Sequence, residues 1–364
     1  MGYRMAVKAL RAWVRAVDGR DATSLLRLHR ELWIDHDQRG GMPAAREDDV
    51  WQGYGLVLER QLAHRDGRHQ PTGAFEGKLG HLVAEFDGRL VGQVEVYLDR
   101  FGFHPRTPHI AELRSLIVTQ DARGLGLGAA LVREAASASR TRAGDVTLVA
   151  AEVLARNEAL SFYDRLGFRT LERLTAISAP PPREGEFVVR TARPSDAADL
   201  TVLDHRARMR RHAWGDPRFD PPSAGIGGDL VRLIADGIAL DDAQRGTEPG
   251  RIREEVIARD RSGRAHAAAY LVASPLGAPF APVLRAEIAR IAADPEDPVA
   301  LAAADALVAE CLQRVAAIGP KELLLRTPFL DPLGARVAEH RGVRPFSWIL
   351  AAPASTILRR SAKP

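Results

Sequence analysis

Residues 118–129 read VTQDARGLGLGA, and this stretch decides the fold that the sequence predicts. An apolar strand ends at Val118, glycines alternate at positions 124, 126 and 128, and a helix begins directly afterwards. Glycines let a backbone take positive φ and approach a ligand closely. The N-terminus of a helix presents unpaired N–H groups and a partial positive charge. The stretch therefore predicts a pyrophosphate-binding turn, with the fixed charge of Arg123 at its mouth.

The segments around this turn predict a mixed α/β sheet, because antiparallel strands lead into a strand–helix–strand unit. The Asp87-Gly88 pair is a strong hairpin signal, and Gly167 is placed to end a helix. The predicted elements are strand 12–17, a helix capped by Asp21 or Thr23, helix 47–64, strands 81–86, 90–97 and 111–118, helix 127–140, strand 146–152, helix 157–166 and strand 168–177.

The second half of the chain repeats the first at a constant offset of 175 residues. Val14-Arg15 meets Val189-Arg190, Ala111-Glu112-Leu113 meets Ala286-Glu287-Ile288, and Gly167 meets Gly342. A constant offset over half the chain indicates a duplication. The proline run 180–182 suits a short stiff linker. We therefore predict a domain at 1–178, a linker at 179–186 and a second domain of the same fold at 187–364.

A glycine turn by itself also fits other folds. Gly124-x-Gly126-x-x-Ala129 satisfies the dinucleotide fingerprint, which would favour a nicotinamide-linked oxidoreductase. That fold places its turn after the first strand and an acidic residue about 20 positions later. Here four predicted strands precede the turn, and no acidic strand end follows at that distance. A turn that only packs a helix on a strand is the remaining structural alternative.

The sequence resembles the GCN5-related N-acetyltransferase (GNAT) superfamily. Residues 123–128, RGLGLG, match its Q/R-x-x-G-x-G/A motif. A second motif is matched by Asn157-Glu158-Ala159, by Tyr163 six residues after Asn157, and by residues 166–168. The resemblance covers residues 12 to about 178, and the order of elements extends it to the second half. It implies two tandem GNAT-like domains, each a mixed, mostly antiparallel central sheet flanked by helices.

The resemblance implies that acetyl-CoA binds as a co-substrate, without a metal. Backbone groups of Leu116, Ile117 and Val118 would hold the pantetheine arm as a neighbouring strand does. The remaining implied contacts are the turn residues Arg123, Gly124, Leu125, Gly126, Leu127, Gly128 and Ala129, together with Asn157.

The resemblance also implies direct attack of an amine on the thioester, with no covalent enzyme intermediate. Tyr163 would donate a proton to the departing thiolate, and Glu112 would be the general base, usually through water. Each residue has a structural alternative. Tyr163 lies on an apolar helix face with Phe162, and Glu112 could pair with a nearby arginine such as Arg114. Glu287 occupies the equivalent place in the second copy, which would fit a structural role in both.

The second copy departs from the motif. At the constant offset, Arg123 falls on Pro298, the three glycines fall on Val299, Leu301 and Ala303, and Tyr163 falls on Ala338. Side chains at these places would block the backbone approach that a pyrophosphate needs. We therefore predict one live domain and one degenerate domain, which could stabilise the first, cover its acceptor side or mediate dimerisation.

Composition narrows the class of protein. The net charge of +4 does not demand a nucleic-acid partner, and the single cysteine, Cys311, reads as a buried apolar residue. No apolar run reaches the length of a membrane span, and no signal peptide is recognisable, so the predicted location is cytoplasmic. The expected partner is a small-molecule or peptide amine, with monomer or homodimer left open. A non-catalytic acetyl-CoA sensor or scaffold is the alternative.

The acceptor itself is not identified by the sequence. The resemblance places the acceptor groove after the first helix and before strand 111–118. These segments contain Asp35-His36-Asp37, which could attract a cationic amine or be a solvated helix end. Consecutive positions do not place three metal ligands on one helix face, so a metal is discounted. The same segments contain Trp33, His104 and His109. Phe101 and Phe103 could form the wall of a small-molecule pocket or only hold the loop in place.

Overall fold

The computed structural model describes residues 12–63, 78–100, 109–143, 146–181, 186–219, 228–245, 247, 251–281, 283–294, 296–320, 322–339 and 342–359. The first copy of the fold contains β1 (Ala12–Ala16), α1 (Ala22–Gln38), α2 (Asp48–Ala63), β2 (Lys78–Phe86), β3 (Arg89–Arg100), β4 (His109–Val118), α3 (Leu127–Ala143), β5 (Val146–Leu154), α4 (Leu160–Arg165) and β6 (Arg169–Ile177).

The second copy contains β7 (Val188–Thr191), α5 (Ala197–Ala213), α6 (Gly228–Gln244), β8 (Ile252–Arg259), β9 (Ala265–Pro275), β10 (Leu284–Ala293), α7 (Pro298–Ala316), β11 (Leu323–Pro328), α8 (Pro332–Ala338) and β12 (Val343–Pro353), followed by α9 (Ala354–Arg359). The order of helices and strands in the first copy recurs in the second. The predicted duplication and the predicted α/β fold class are therefore confirmed.

One ion pair is repeated in both copies, 175 residues apart. The guanidinium of Arg15 donates to both carboxylate oxygens of Asp21 at 2.7 and 2.8 Å. Arg190 does the same to Asp196 at 2.7 and 2.9 Å. Each aspartate also accepts a backbone N–H, from Asp18 or Arg193. These contacts join the first strand of each copy to the start of its first helix. Because the Asp21 carboxylate is engaged in them, it makes no capping hydrogen bond to α1, and the prediction of a side-chain cap at Asp21 is wrong.

The sheet of the first unit is mostly antiparallel. β1, β2, β3 and β4 pair in that order, each antiparallel to the next, and β5 is parallel to β4. Side chains alternate between the two faces of a sheet. Val83 packs against α1 and α2 on one face. A Cβ at Gly92 would approach Leu131 of α3 on the other face. The helices therefore cover both faces.

The described residues form two compact units, and their bounds differ from the predicted domains. The first unit comprises the described parts of Met1–Glu152, Glu158–Arg169 and Leu350–Pro364. The second comprises those of Val153–Asn157 and Thr170–Ile349. Strand β6 of the first copy thus lies in the second unit, antiparallel to β11, with Ile177 opposite Leu323. A sequence repeat identifies the copies, but it does not tell which copy a terminal strand joins.

The second unit buries a large apolar core between its sheet and α7. Leu271, Ile288 and Leu325 on the strands pack with Leu307 and Cys311 of the helix. Burial raises the pKa of the Cys311 thiol well above its usual range, which agrees with its predicted role as a buried apolar residue. Among the helices that the structure describes, none is long and apolar enough to cross a membrane.

We expect Asp21→Asn and Asp196→Asn each to lower the free energy of unfolding by about 2–4 kcal/mol, because each removes the charge of a buried aspartate and leaves its half-buried arginine partner with weaker, uncharged hydrogen bonds. Urea unfolding at neutral pH measures this loss. Asp199→Asn is the matched control. Asp199 pairs with Arg259, as Asp196 does, but its side chain is 50% exposed. Equal losses in all three variants would contradict a special role for the buried pairs.

Candidate active site

The glycine turn between β4 and α3 has the backbone conformation that its sequence requires. Gly124 and Gly126 have φ of +83° and +79°, in the left-handed region that favours glycine. A Cβ at either position would meet nothing within 4 Å. The glycines are therefore needed for conformation and for the space above the turn, where a ligand can approach the backbone.

The turn leaves a row of backbone donors without acceptors. The first hydrogen bond of the following helix runs from the Ala130 N–H to the Gly126 carbonyl at 3.0 Å. Among the described residues, no backbone acceptor is found for the N–H groups of Gly124–Ala129. Residues 123–126 are exposed. A run of open amides at a helix N-terminus is suited to bind an anion such as a pyrophosphate.

Gly128 has a different role from the other two glycines. A Cβ at this position would lie 3.3 Å from Cε2 of Phe162 and 3.7 Å from Cγ2 of Val118. The missing side chain therefore lets α4 pack against the first turn of α3. The position serves packing directly, and it serves a ligand only by fixing the start of α3.

Strands β4 and β5 separate next to the turn. Their parallel ladder runs from His109 and Val146 to Leu113 and Ala151. A β-bulge follows at Ser115, which has φ of +52°. Beyond the bulge, Ile117 and Val118 pair with β3, and in the described part of the chain β4 has no partner strand on the β5 side. Residues 116–118 therefore present one backbone edge beside the glycine turn.

Tyr163 lies in α4, which is shorter than the predicted helix 157–166. The side chain is buried, and its ring contacts those of Phe162 and Phe168 edge-on, at 5.1 Å between centroids in each case. Burial raises the pKa of the Tyr163 phenol well above its usual range. The hydroxyl is therefore protonated at neutral pH and can act as a proton donor but not as a base.

Glu112 forms an ion pair with Arg114, which is the structural role that the sequence left open beside the catalytic one. Its Oε2 accepts from Arg114 at 2.6 Å, and Arg114 lies over the Tyr97 ring at 4.4 Å from the centroid. The equivalent Glu287 pairs with Arg285 at 2.9 Å and with Arg326 at 2.7 Å. Glu112 is the more accessible of the two, with 28% of its side chain exposed against 13%.

Asn157 lies in the turn between β5 and α4, within the second unit. Its backbone N–H donates to the Leu154 carbonyl at 2.9 Å. This bond shapes the turn that leads from the strand into the helix of Tyr163. A contact of Asn157 with the co-substrate remains a prediction.

The predicted acceptor segment holds its acidic residues in ion pairs. Asp35 accepts from Arg39 at 2.8 Å, and Asp37 accepts from Arg46 at 2.5 Å. Trp33 contacts His36 edge-on at 5.1 Å and packs against the cluster that contains Ile117 of β4. Phe101, Phe103 and His104 lie outside the described residues, as does the side chain of His109.

A buried polar cluster that the sequence did not reveal lies between the sheet and the first two helices. His29, His81 and Glu95 have potential ligand atoms within 4.8 Å of one another. Tyr54 contacts His29 Nδ1 at 3.2 Å, and Gln93 contacts His81 Nε2 at 3.2 Å. Single polar residues in otherwise apolar strands were the available signal, but their convergence depends on long-range packing. Lys78 pairs with Glu95. The one carboxylate of this cluster is therefore already neutralised by an ammonium group.

The family profile described as "Acetyltransferase (GNAT) family" matches residues 45–168. No curated protein sequence matches the chain. A GCN5-related N-acetyltransferase from Sphaerobacter thermophilus is 18% identical, with 94% of this chain and 96% of that chain covered and a TM-score of 0.52. A fungal glucosamine N-acetyltransferase region of a GH3 β-N-acetylglucosaminidase is 15% identical, with coverages of 95% and 38% and a TM-score of 0.50. At these identities the two structures support the fold alone.

The chain carries a GNAT acetyltransferase domain. The profile ends at residue 168, so it includes the glycine turn, the open edge of β4 and Tyr163. Acyl transfer is the chemistry of this family. The turn follows four strands of the sheet, which is not the position that a dinucleotide-binding fold requires.

The second copy of the GNAT fold has a different turn at the equivalent place. Helix α7 begins at Pro298, the counterpart of Arg123, one turn earlier than the offset from α3 predicts. The Asp297 carboxylate caps this helix by accepting from the Val299 N–H at 2.9 Å. The carboxylate occupies one of the backbone N–H groups that a phosphate would need at this helix N-terminus. Its negative charge also repels a phosphate.

The two buried histidines of the GNAT domain make stability depend on pH. Burial is the main cause that lowers the pKa of His29 to about 4 and that of His81 to about 3. Both are therefore neutral when folded, whereas the unfolded chain binds their protons below about pH 6.5. We expect the free energy of unfolding to fall from about pH 6.5 downwards by up to about 1.4 kcal/mol per pH unit for each histidine.

Urea unfolding between about pH 7 and about pH 5 measures this slope, since both histidines titrate in the unfolded chain over that range. His29→Gln should remove about half of it. His212→Gln is the control, because His212 is exposed. An unchanged slope in His29→Gln would contradict the assignment of the effect to the buried cluster.

Proposed function

We propose that this chain transfers the acetyl group of acetyl-CoA to a primary amine at a site in the first unit. The observation that carries the proposal is the row of open amides from Gly124 to Ala129 at the N-terminus of α3. These groups would hold the pyrophosphate of the co-substrate, with the Arg123 charge at the rim.

The pantetheine arm would lie along residues 116–118. This backbone edge is left open where β4 and β5 separate, and an extended chain can pair with an open strand edge through its amides. The edge begins directly after the Ser115 bulge, and residues 119–122 form the short connection from its end to the glycine turn. Its length and position therefore connect the pyrophosphate site with the interior of the domain, where the thioester would lie.

The proposed reaction is a direct transfer. The neutral amine attacks the thioester carbonyl carbon, the C–S bond breaks, and Tyr163 gives its proton to the departing thiolate. The amine loses a proton to Glu112 through water, while Arg114 holds the carboxylate in place. Tyr163 suits its role because it is buried and protonated, and Glu112 because its side chain is partly accessible.

We propose one co-substrate site per chain, because the second copy lacks the glycine turn and caps the equivalent helix with Asp297. Calorimetric titration with acetyl-CoA should therefore give a stoichiometry of one. Two sites would contradict the assignment of the second copy as degenerate. Saturable binding of a nicotinamide cofactor that acetyl-CoA cannot displace would favour an oxidoreductase.

We expect Gly126→Ala to weaken acetyl-CoA binding by about tenfold or more, because the Cβ narrows the approach to the amides and a side chain at positive φ costs about 1–2 kcal/mol. Calorimetry measures the dissociation constant. Gly88→Ala is the matched control: Gly88 has φ of +76° and equally open space, but it lies in the β2–β3 hairpin. Equal losses of affinity in both variants would show a general effect of strain.

We expect Tyr163→Phe to lower kcat by about a hundredfold with little change in the KM for acetyl-CoA, since proton transfer contributes about that factor and the aromatic packing is kept. Coenzyme A release with a panel of amines measures the rate. Tyr270→Phe in the second unit should leave kcat unchanged. An unaffected kcat in Tyr163→Phe would reduce Tyr163 to a core residue. Binding of acetyl-CoA by the wild type without turnover on any amine would favour a sensor.

A further inference from the structure

Lys78 is a primary amine held in the interior of the first unit. The chain has four lysines, at positions 8, 78, 321 and 363, and Lys78 is the one that lies within the described residues. Its side chain is 13% exposed and pairs with Glu95. Its Nζ lies 5.7 Å from the centroid of the Tyr97 ring. An amine in this position is shielded from reagents in bulk solvent.

The partner of Lys78 connects it with the proposed site of the thioester. Oε2 of Glu95 accepts from Ser115 Oγ at 2.9 Å. Ser115 is the bulge residue of β4, and the open edge at 116–118 follows it directly. Tyr97, over which Lys78 lies, is paired with Glu112 across β3 and β4. The Lys78 amine is therefore on the same face of the sheet as the proposed base.

The charges of the cluster fit an ammonium better than a metal ion. Burial is the largest single effect on the pKa of Glu95 and would raise it, but the interactions with Lys78, His81 and His29 together outweigh burial and lower that pKa to about 2. The carboxylate and the ammonium neutralise each other, and His29 and His81 are uncharged. A divalent cation among these groups would bring two uncompensated charges into a buried site, which is costly. The cluster is thus built around a primary amine.

We propose that Lys78 is an acetylation site, modified in cis by the catalytic centre of the same chain. The proposal rests on the proposed function, since it needs acetyl-CoA at the glycine turn. The Lys78 ammonium releases one proton to solvent by way of Glu95, and the free amine attacks the thioester carbonyl carbon. The C–S bond breaks, an amide forms at Nζ, and coenzyme A leaves as the thiol with a proton from Tyr163. The second proton that Nζ loses on forming the amide returns to Tyr163 through water, so the net release is the one proton of the ammonium.

Acetylation of Lys78 changes the charge of the buried cluster. The acetylated Lys78 side chain is uncharged and cannot neutralise the negative charge of Glu95. A buried carboxylate is then left without its counter-ion. The modified chain would therefore bind an external ammonium at Glu95 more readily than the unmodified chain, in which Lys78 occupies that carboxylate. Self-acetylation would in this way prepare the site for its acceptor.

The test is incubation of the full-length protein with isotope-labelled acetyl-CoA, without an added amine, followed by peptide mass mapping. We expect label at Lys78 at a rate about tenfold or more above that at Lys8, Lys321 or Lys363, and a rate constant that does not depend on protein concentration. Lys78→Arg should remove the label while keeping a charge for Glu95. Gly126→Ala should slow the labelling, and Gly88→Ala should not.

Equal labelling of all four lysines, or a rate that rises in proportion to protein concentration, would overturn the proposal. So would an unlabelled Lys78 in a protein that binds acetyl-CoA and acetylates external amines, although that result leaves the proposed function intact. Calorimetry on the same preparation separates the two failures. Without acetyl-CoA binding, the proposed function fails and the modification of Lys78 fails with it.

Discussion

The separation of β4 from β5 is the constraint on which the candidate site depends. The parallel ladder between them ends at Leu113 and Ala151, and the bulge at Ser115 turns the rest of β4 away from the ladder. Backbone groups beyond that point need a partner, since unpaired strand edges are unfavourable when they are buried. The same separation aligns the end of β4 with the N-terminus of α3. An open strand edge and an open helix end are thus adjacent, and one extended, anionic ligand can satisfy both.

Two copies of one fold separate what the architecture needs from what a ligand needs. The pairs Arg15–Asp21 and Arg190–Asp196 are the same in both copies and join the same elements. The glycine turn is not shared, because α7 begins one turn early and is capped by Asp297. A strand and a helix can therefore be joined at this place without glycines. Their presence at 124 and 126 is explained by the space and the free amides above the turn.

The sequence predicted what depends on local patterns. Strands β1 to β6, the hairpin at Asp87-Gly88 and helices α1 to α3 lie within a few residues of their predicted bounds, since alternation, helical periodicity and turn residues are local signals. The course of β6 into the second unit was not predictable, because pairing of a terminal strand is decided by tertiary contacts. The polar cluster was missed for the same reason: His29, His81 and Glu95 lie on three elements, and nothing in their spacing brings them together.

The acidic residues beside the candidate site differ in how far the second copy keeps them. Glu112 and Glu287 occupy equivalent positions and both pair with arginine, so that position satisfies a demand of the fold in either copy. The polar cluster behaves differently. At the offset of 175 residues, the places of His81 and Glu95 are taken by Val256 and Tyr270. The place of His29 is taken by Asp204, which pairs with Arg290, and Arg290 also pairs with Glu255. The second copy thus has an arginine-centred ion cluster where the first has His29, His81, Glu95 and Lys78. The proposed role of Glu112 as a base therefore depends on what surrounds it, namely its greater exposure and the nearby glycine turn, because the carboxylate itself is common to both copies. At the place of Lys78 the second copy has Arg253, which keeps the positive charge but cannot be acetylated at a primary amine.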